Sequence, residues 1–237
     1  MLDAIAGFFN TALGFIYLNF SGQNYAVAII ILTILVKLVT FPLNNKQIQS
    51  AKRMQAVQPE IKRLQEKYKN DKEKQNQAVM ELLKENKVNP MAGCLPLLIQ
   101  FPILIGIFRL LSNPAKFGIL DIPNFSSYIF PSFTVWGDLL SPDPYFIFPI
   151  LSGVTTFLHQ RLTMTDPNQK IMLYMMPALI TYLSFKFPMG LVLYWVMNNL
   201  FSLGQHYVVV RKENGEEELK PKPVKGKEKP RRKEKRG

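Results

Sequence analysis

Five stretches of the chain, 25–43, 94–111, 145–164, 171–187 and 189–210, are almost wholly apolar and contain no Asp or Glu. Each comes close to the roughly 20 residues a helix needs to cross a bilayer. The pattern predicts an all-α integral membrane protein with five transmembrane helices. The strongly polar segments 44–90 and 211–237 dilute these runs, so mean hydropathy over the whole chain is only +0.04. Ahead of the first run, Leu2, Ile5, Phe9, Leu13, Ile16 and Phe20 recur every three or four positions. That spacing predicts an amphipathic helix over 1–22 lying in the membrane interface. A signal peptide is the poorer reading, because no basic residue leads the segment and Asp3 stands in its place.

Segment 46–88 has a different periodicity. Met54, Val57, Ile61, Leu64 and Tyr68 step by threes and fours and draw one apolar stripe on an otherwise charged helix. A polar turn at Asn70 and Asp71 follows, and then a second helix presenting Val79, Leu82 and Leu83. The stripes predict an antiparallel helical hairpin, with Pro59 bending its first arm or marking a restart. As a sequence alone, the hairpin reads equally well as a working part or as a solvated connector.

Charge sets the orientation. Of 29 Lys and Arg, eleven lie in 44–90 and twelve in 211–237, and Arg161 and Lys170 flank the short link between the third and fourth spans. The first 24 residues carry none, and 112–144 carries only Lys116. The positive-inside rule therefore places the hairpin and the C-terminus in the cytoplasm and the N-terminus outside. An odd number of spans agrees. The organisation that results is an interfacial helix (1–22), a five-span core (23–210) interrupted by the hairpin (46–88), and a basic tail (211–237) whose composition predicts disorder. A basic tail beside a membrane suits anionic lipid or ribosomal RNA.

Polar residues inside the spans carry the candidate chemistry. Thr33, Lys37, Thr40 and Asn44 share one face of the first span, and Trp195, Asn198, Ser202 and Gln205 share one face of the last, with Asn199 alongside. Gln100 lies between Pro96 and Pro102 in the second span. A lysine without an acidic partner is costly in hydrocarbon. Lys37 must therefore reach the interface by snorkelling along its stem or face water held within the protein. If the three faces converge, they line a polar groove around Lys37; otherwise the amides are helix-to-helix glue.

Several function classes find little support. A membrane-embedded enzyme needs a nucleophile, a metal set or an acid pair, and the spans offer none. No phosphate-binding loop occurs, no cofactor is indicated, and Cys94 is the only cysteine, so metal and thiol chemistry have little basis. A small-molecule transporter, the alternative reading, would show an internal repeat, and no span pattern recurs.

Several runs together carry a resemblance: "LVKLVTFPLNNKQIQSAKRMQAVQPEIKRLQEKY", "NPMAGCLPLLIQFPILIGIFRLL" and "FPMGLVLYWVMNNLFSLGQHYVVVRK". In this order, and on a five-span, N-out plan, they resemble the YidC/Oxa/Alb family of membrane protein insertases over nearly all of 23–211. The likeness is to the bacterial form without a large extracytoplasmic domain, and it implies a multi-pass protein of the bacterial plasma membrane. It further implies a hydrophilic groove that is open to the cytoplasm and to lipid, receives the polar segments of client proteins and releases their apolar segments into the bilayer. Lys37 stands where the family usually has arginine, keeping the charge but losing the planar fork. Gln100 and Trp195 align with the family's other groove positions. Nascent membrane proteins are the partners so implied, together with the ribosome through the tail and hairpin, with a Sec-type channel as a further candidate.

Overall fold

The computed structural model describes residues 2–88, 95–122, 138–164 and 170–213. Within them the chain forms seven α-helices: α1 (Leu2–Asn19), α2 (Tyr25–Lys67), α3 (Lys72–Glu85), α4 (Leu95–Ser112), α5 (Ile147–Thr163), α6 (Lys170–Ser184) and α7 (Met189–Glu213). Cys94 and nearly all of the basic tail, 214–237, lie outside the described residues.

The chain leaves α1 through a turn at Gly22 and Gln23, both with positive φ, and α2 opens where Asn24 Oδ1 accepts the backbone N–H of Val27 at 3.1 Å. The helix then runs unbroken for 43 residues, about 65 Å at helical rise, through both Pro42 and Pro59. Of the two outcomes Pro59 allowed, a bend or a restart, the restart does not occur, and the first apolar run and the first hairpin arm are one continuous helix. Among the described residues α2 is the one helix long and apolar enough to cross a membrane. Helices α4, α5, α6 and α7 fall on the other four apolar stretches, and α5 and α6 are short, at 17 and 15 residues.

The hairpin closes as its stripes predict. Val57, Ile61, Leu82, Leu83 and Val88 are buried together, with Met54, Leu64 and Val79 packed against them. Asp71 caps α3 by accepting the N–H of Lys74 at 3.0 Å, and Gln75 Nε2 donates to the carbonyl of Gln65 across the arms at 2.7 Å. Tyr68 is not part of this small core. It terminates α2 as the C-cap, with the Lys67 ammonium 5.4 Å from its ring centre.

The main core joins α1, the first turns of α2, the last turns of α4 and the first turns of α7, and includes Leu13, Tyr17, Ile29, Leu32, Ile107, Leu110, Leu111, Met189 and Tyr194. Gly190 makes this close approach possible. A Cβ there would meet Ile29, Leu111 and the carbonyl of Leu139, each at 3.1 Å. That carbonyl accepts the N–H of Gly190 at 2.9 Å, and Ser141 does the same for Met189 at 2.8 Å, so backbone from 138–141 satisfies the start of α7. Helix α1 buries Ala6, Phe9, Leu13 and Ile16 here and leaves Phe8, Phe15 and Leu18 exposed, so it is apolar on both sides. Helix α6 packs on α5, where Gly153 admits Thr181 so closely that any Cβ would collide with its hydroxyl. Beyond the apolar core, the other halves of α2 and α7 meet through polar side chains.

Candidate functional site

Helix α7 is the hub of the polar residues. At about 100° per residue, Tyr194, Gln205, Asn198, Ser202, Trp195 and Asn199 fall in that order across an arc of about 140°. Three other helices face this arc. From α2, Lys37 Nζ donates to Ser202 Oγ at 2.7 Å, and Ser202 Oγ in turn donates to the carbonyl of Asn198 at 2.9 Å. From α4, Gln100 Nε2 donates to the Tyr194 hydroxyl at 2.8 Å. From α5, Thr156 Oγ1 accepts Trp195 Nε1 at 2.9 Å. Asn199, only 3 % exposed, sits beside this pair, and its amide is best oriented with the oxygen toward Trp195 Nε1, at 3.2 Å, and the Thr155 and Thr156 hydroxyls.

The Lys37 seam continues one turn further. Gln205 Nε2 donates to Asn45 Oδ1 at 2.6 Å and to the carbonyl of Phe41 at 3.2 Å. Asn44 Nδ2 reaches Gln205 Oε1 at 3.5 Å and Thr40 Oγ1 at 3.3 Å. Thr40 also closes on its own helix through the carbonyl of Val36 at 2.9 Å. Thr33 does the same with Ile29 at 2.7 Å and is fully buried above the seam, so it contributes no open hydroxyl to it.

The charge balance around Lys37 is one-sided. Among the described residues its ammonium bonds a neutral hydroxyl, and no carboxylate lies within ion-pairing distance. His159 on α5 lies within electrostatic range of both Lys37 and His206, so side chains from α2, α5 and α7 gather at the same end. Polar atoms remain to be filled there: Asn198 Oδ1, Gln160 Oε1 and His206 Nδ1 are buried without a hydrogen-bond partner among the described residues. A buried polar atom left unbonded costs about 1–3 kcal/mol, so this end of the bundle suits water or the polar groups of a guest chain. No group of three or more His, Cys, Asp or Glu that could hold a metal occurs among the described residues.

The spacing of polar positions by threes and fours placed Lys37 and Asn44 on one face and Ser202 and Gln205 on another, and these faces meet through Lys37–Ser202 and Asn44–Gln205. Tyr194, Thr155 and Thr156 were not anticipated. Tyr194 counts as apolar in a hydropathy scan, and the adjacent threonines of α5 were a visible signal in an otherwise greasy run.

A model of the family described as 60Kd inner membrane protein matches residues 15–217. The membrane protein insertase YidC of Lawsonia intracellularis is 41% identical over 215 residues, which cover 90% of this chain and 40% of that protein. The protein of the same name from Syntrophus aciditrophicus is 46% identical over 191 residues, 79% of this chain and 33% of that one. The chain thus spans about 40% or less of the length of these curated relatives. A crystal structure of an active YidC insertase with its first transmembrane domain resolved superposes with a TM-score of 0.66 at 28% identity, covering 86% of this chain and 46% of that one.

Proposed function

The chain belongs to the 60Kd inner membrane protein family, and from that premise we propose that it is a membrane protein insertase and chaperone of the bacterial plasma membrane. In this reading α2, α4, α5, α6 and α7 are five spans, with the N-terminus outside and the hairpin and C-terminus in the cytoplasm. The apolar core of α1, α2, α4 and α7 then closes the outer side, and the polar seam opens toward the cytoplasm.

One observation carries the proposal: Lys37, in the middle of an apolar run, bonds Ser202 across the bundle and has no carboxylate to neutralise it among the described residues. An uncompensated cation there lowers the energy of an acidic client tail entering from the cytoplasm, and the membrane potential draws that tail outward. Gln100, Trp195, Asn198, Asn199, Ser202, Thr33 and Thr40 complete the proposed groove, the last two mainly by keeping hydroxyls satisfied in a greasy wall. The polar seam shortens the low-dielectric distance a hydrophilic segment must cross. Short α5 and α6 act in the same direction, since 17- and 15-residue helices favour a locally thinner bilayer. The work is solvation and positioning, with no bond made or broken.

Reconstitution tests this directly. Liposomes containing the full chain should protect the translocated tail of a short single-span client from added protease, and Lys37→Ala should reduce protection severalfold while helix content is unchanged. Protection equal to that of protein-free liposomes would refute the function. Full activity of Lys37→Ala would refute the role of the cation.

A further inference from the structure

Between α1 and α4 lies an open groove of about 400 Å³ lined, among the described residues, by Ala4, Ile5, Phe8, Phe9, Pro102 and Ile103. Phe8 on its rim is 68 % exposed, and neighbouring Phe101 is 46 % exposed. At the Asp3 end of the groove, one residue from Ala4, stands an ion cluster: Arg109 and Lys116 both pair with the Asp3 carboxylate, Lys116 at 3.1 Å. Two cations share one carboxylate, so the cluster keeps one positive charge. All three side chains are between 42% and 59% exposed, open to a further anion.

We propose that this groove holds one acyl chain of an anionic phospholipid whose phosphate is received by Arg109 and Lys116. The placement is geometrically consistent. Ile103 and Arg109 are six residues apart on α4, about 9 Å along its axis, which sets the apolar lining below the cations by part of one chain's length. The inference rests on the membrane placement proposed above, in which the Arg109 end of α4 meets the outer interface and the groove descends into the outer leaflet. The lipid's single negative charge matches the single excess cation. A phosphate beside Asp3 adds acceptors that the five donors of Arg109 and three of Lys116 can fill. The bound lipid would fasten α1, whose second face is already apolar, to α4.

Native mass spectrometry of the full chain, titrated with phosphatidylglycerol or phosphatidylcholine of identical acyl chains, reads this site. The wild type should retain one phosphatidylglycerol about fivefold more tightly than phosphatidylcholine, the Boltzmann weight of one basic residue at an anionic surface. Lys116→Gln should erase the preference and keep acyl binding, whereas Ala4→Phe, at an exposed position that fills the groove, should weaken both lipids with unchanged helix content. Equal retention of the two lipids by wild type, or an intact preference in Lys116→Gln, would overturn the proposal. Competition by inorganic phosphate without retention of any lipid would do the same, assigning the cations to a free anion. Extraction of the wild type from vesicles by alkaline carbonate would overturn the membrane placement as well; a chain that stays in the bilayer but shows no preference overturns the lipid site alone.

Discussion

Lys37 and Ser202 are 165 positions apart, and their pairing was legible only as two polar faces of the right helical phase. What those faces meet depends on packing, which the spacing does not encode. Thr33 has the same phase as Lys37, yet its hydroxyl returns to its own helix, because an isolated threonine in an apolar helix satisfies itself most cheaply at the i−4 carbonyl. At the other end of the molecule, Asp3 shows how exposed charge is used. Lys116 and Arg109 hold its carboxyl below the ordinary carboxylate value of 3.8. A carboxyl whose folded pKa is depressed stabilises the fold above its unfolded pKa and loses that contribution as pH falls through the folded value. The docking of α1 should therefore weaken as pH drops below about 3.8. Because the group is exposed the effect is small. The fall in melting temperature between about pH 6 and pH 3 should be smaller in Asp3→Asn than in wild type, and identical falls would show that the ion cluster does not hold α1.

The hairpin is the element most fully written in the sequence. Met54, Val57, Ile61 and Leu64 face Val79, Leu82 and Leu83, and the turn forms at the polar residues expected to make it. Its joining to α2 was not legible, because a proline removes one hydrogen bond and favours a bend without dictating that the helix stop. Helix α2 continues through both Pro42 and Pro59. The hairpin core is small, so Leu82→Ala, at a fully buried position, should cost about 2–4 kcal/mol locally. Limited proteolysis should then cut α3 faster while cleavage within α5 and α7 stays unchanged. Unchanged cleavage of α3 would mean that the hairpin is held by contacts other than its own core. Gln55 Nε2 supplies one such contact, donating to the carbonyls of Leu162 and Met164 at 3.3 and 3.4 Å.

At the scale of the molecule, five apolar stretches foretold the helices that form on them, while the choice of neighbours did not follow from hydropathy. That α7 touches α2, α4 and α5 through separate polar pairs, and that α6 leans on α5, emerges only when Gly153 and Gly190 let helices approach. The basic tail enters through composition: twelve Lys and Arg against six Glu in 211–237. Removing 214–237 should lower affinity for ribosomes and for anionic vesicles at low salt, with the difference fading as salt rises and thermal stability unaffected. Equal binding at low salt would exclude the tail from both contacts. The central claim is that the unpaired charge of Lys37 receives client tails, and the most direct measurement is insertion into proteoliposomes of two clients that differ only in an acidic or a basic tail. Wild type and Lys37→Arg should insert the acidic-tailed client better, and Lys37→Glu should impair that client most, through like-charge repulsion, and so narrow or reverse the order. The same order of clients in all three proteins would contradict the account.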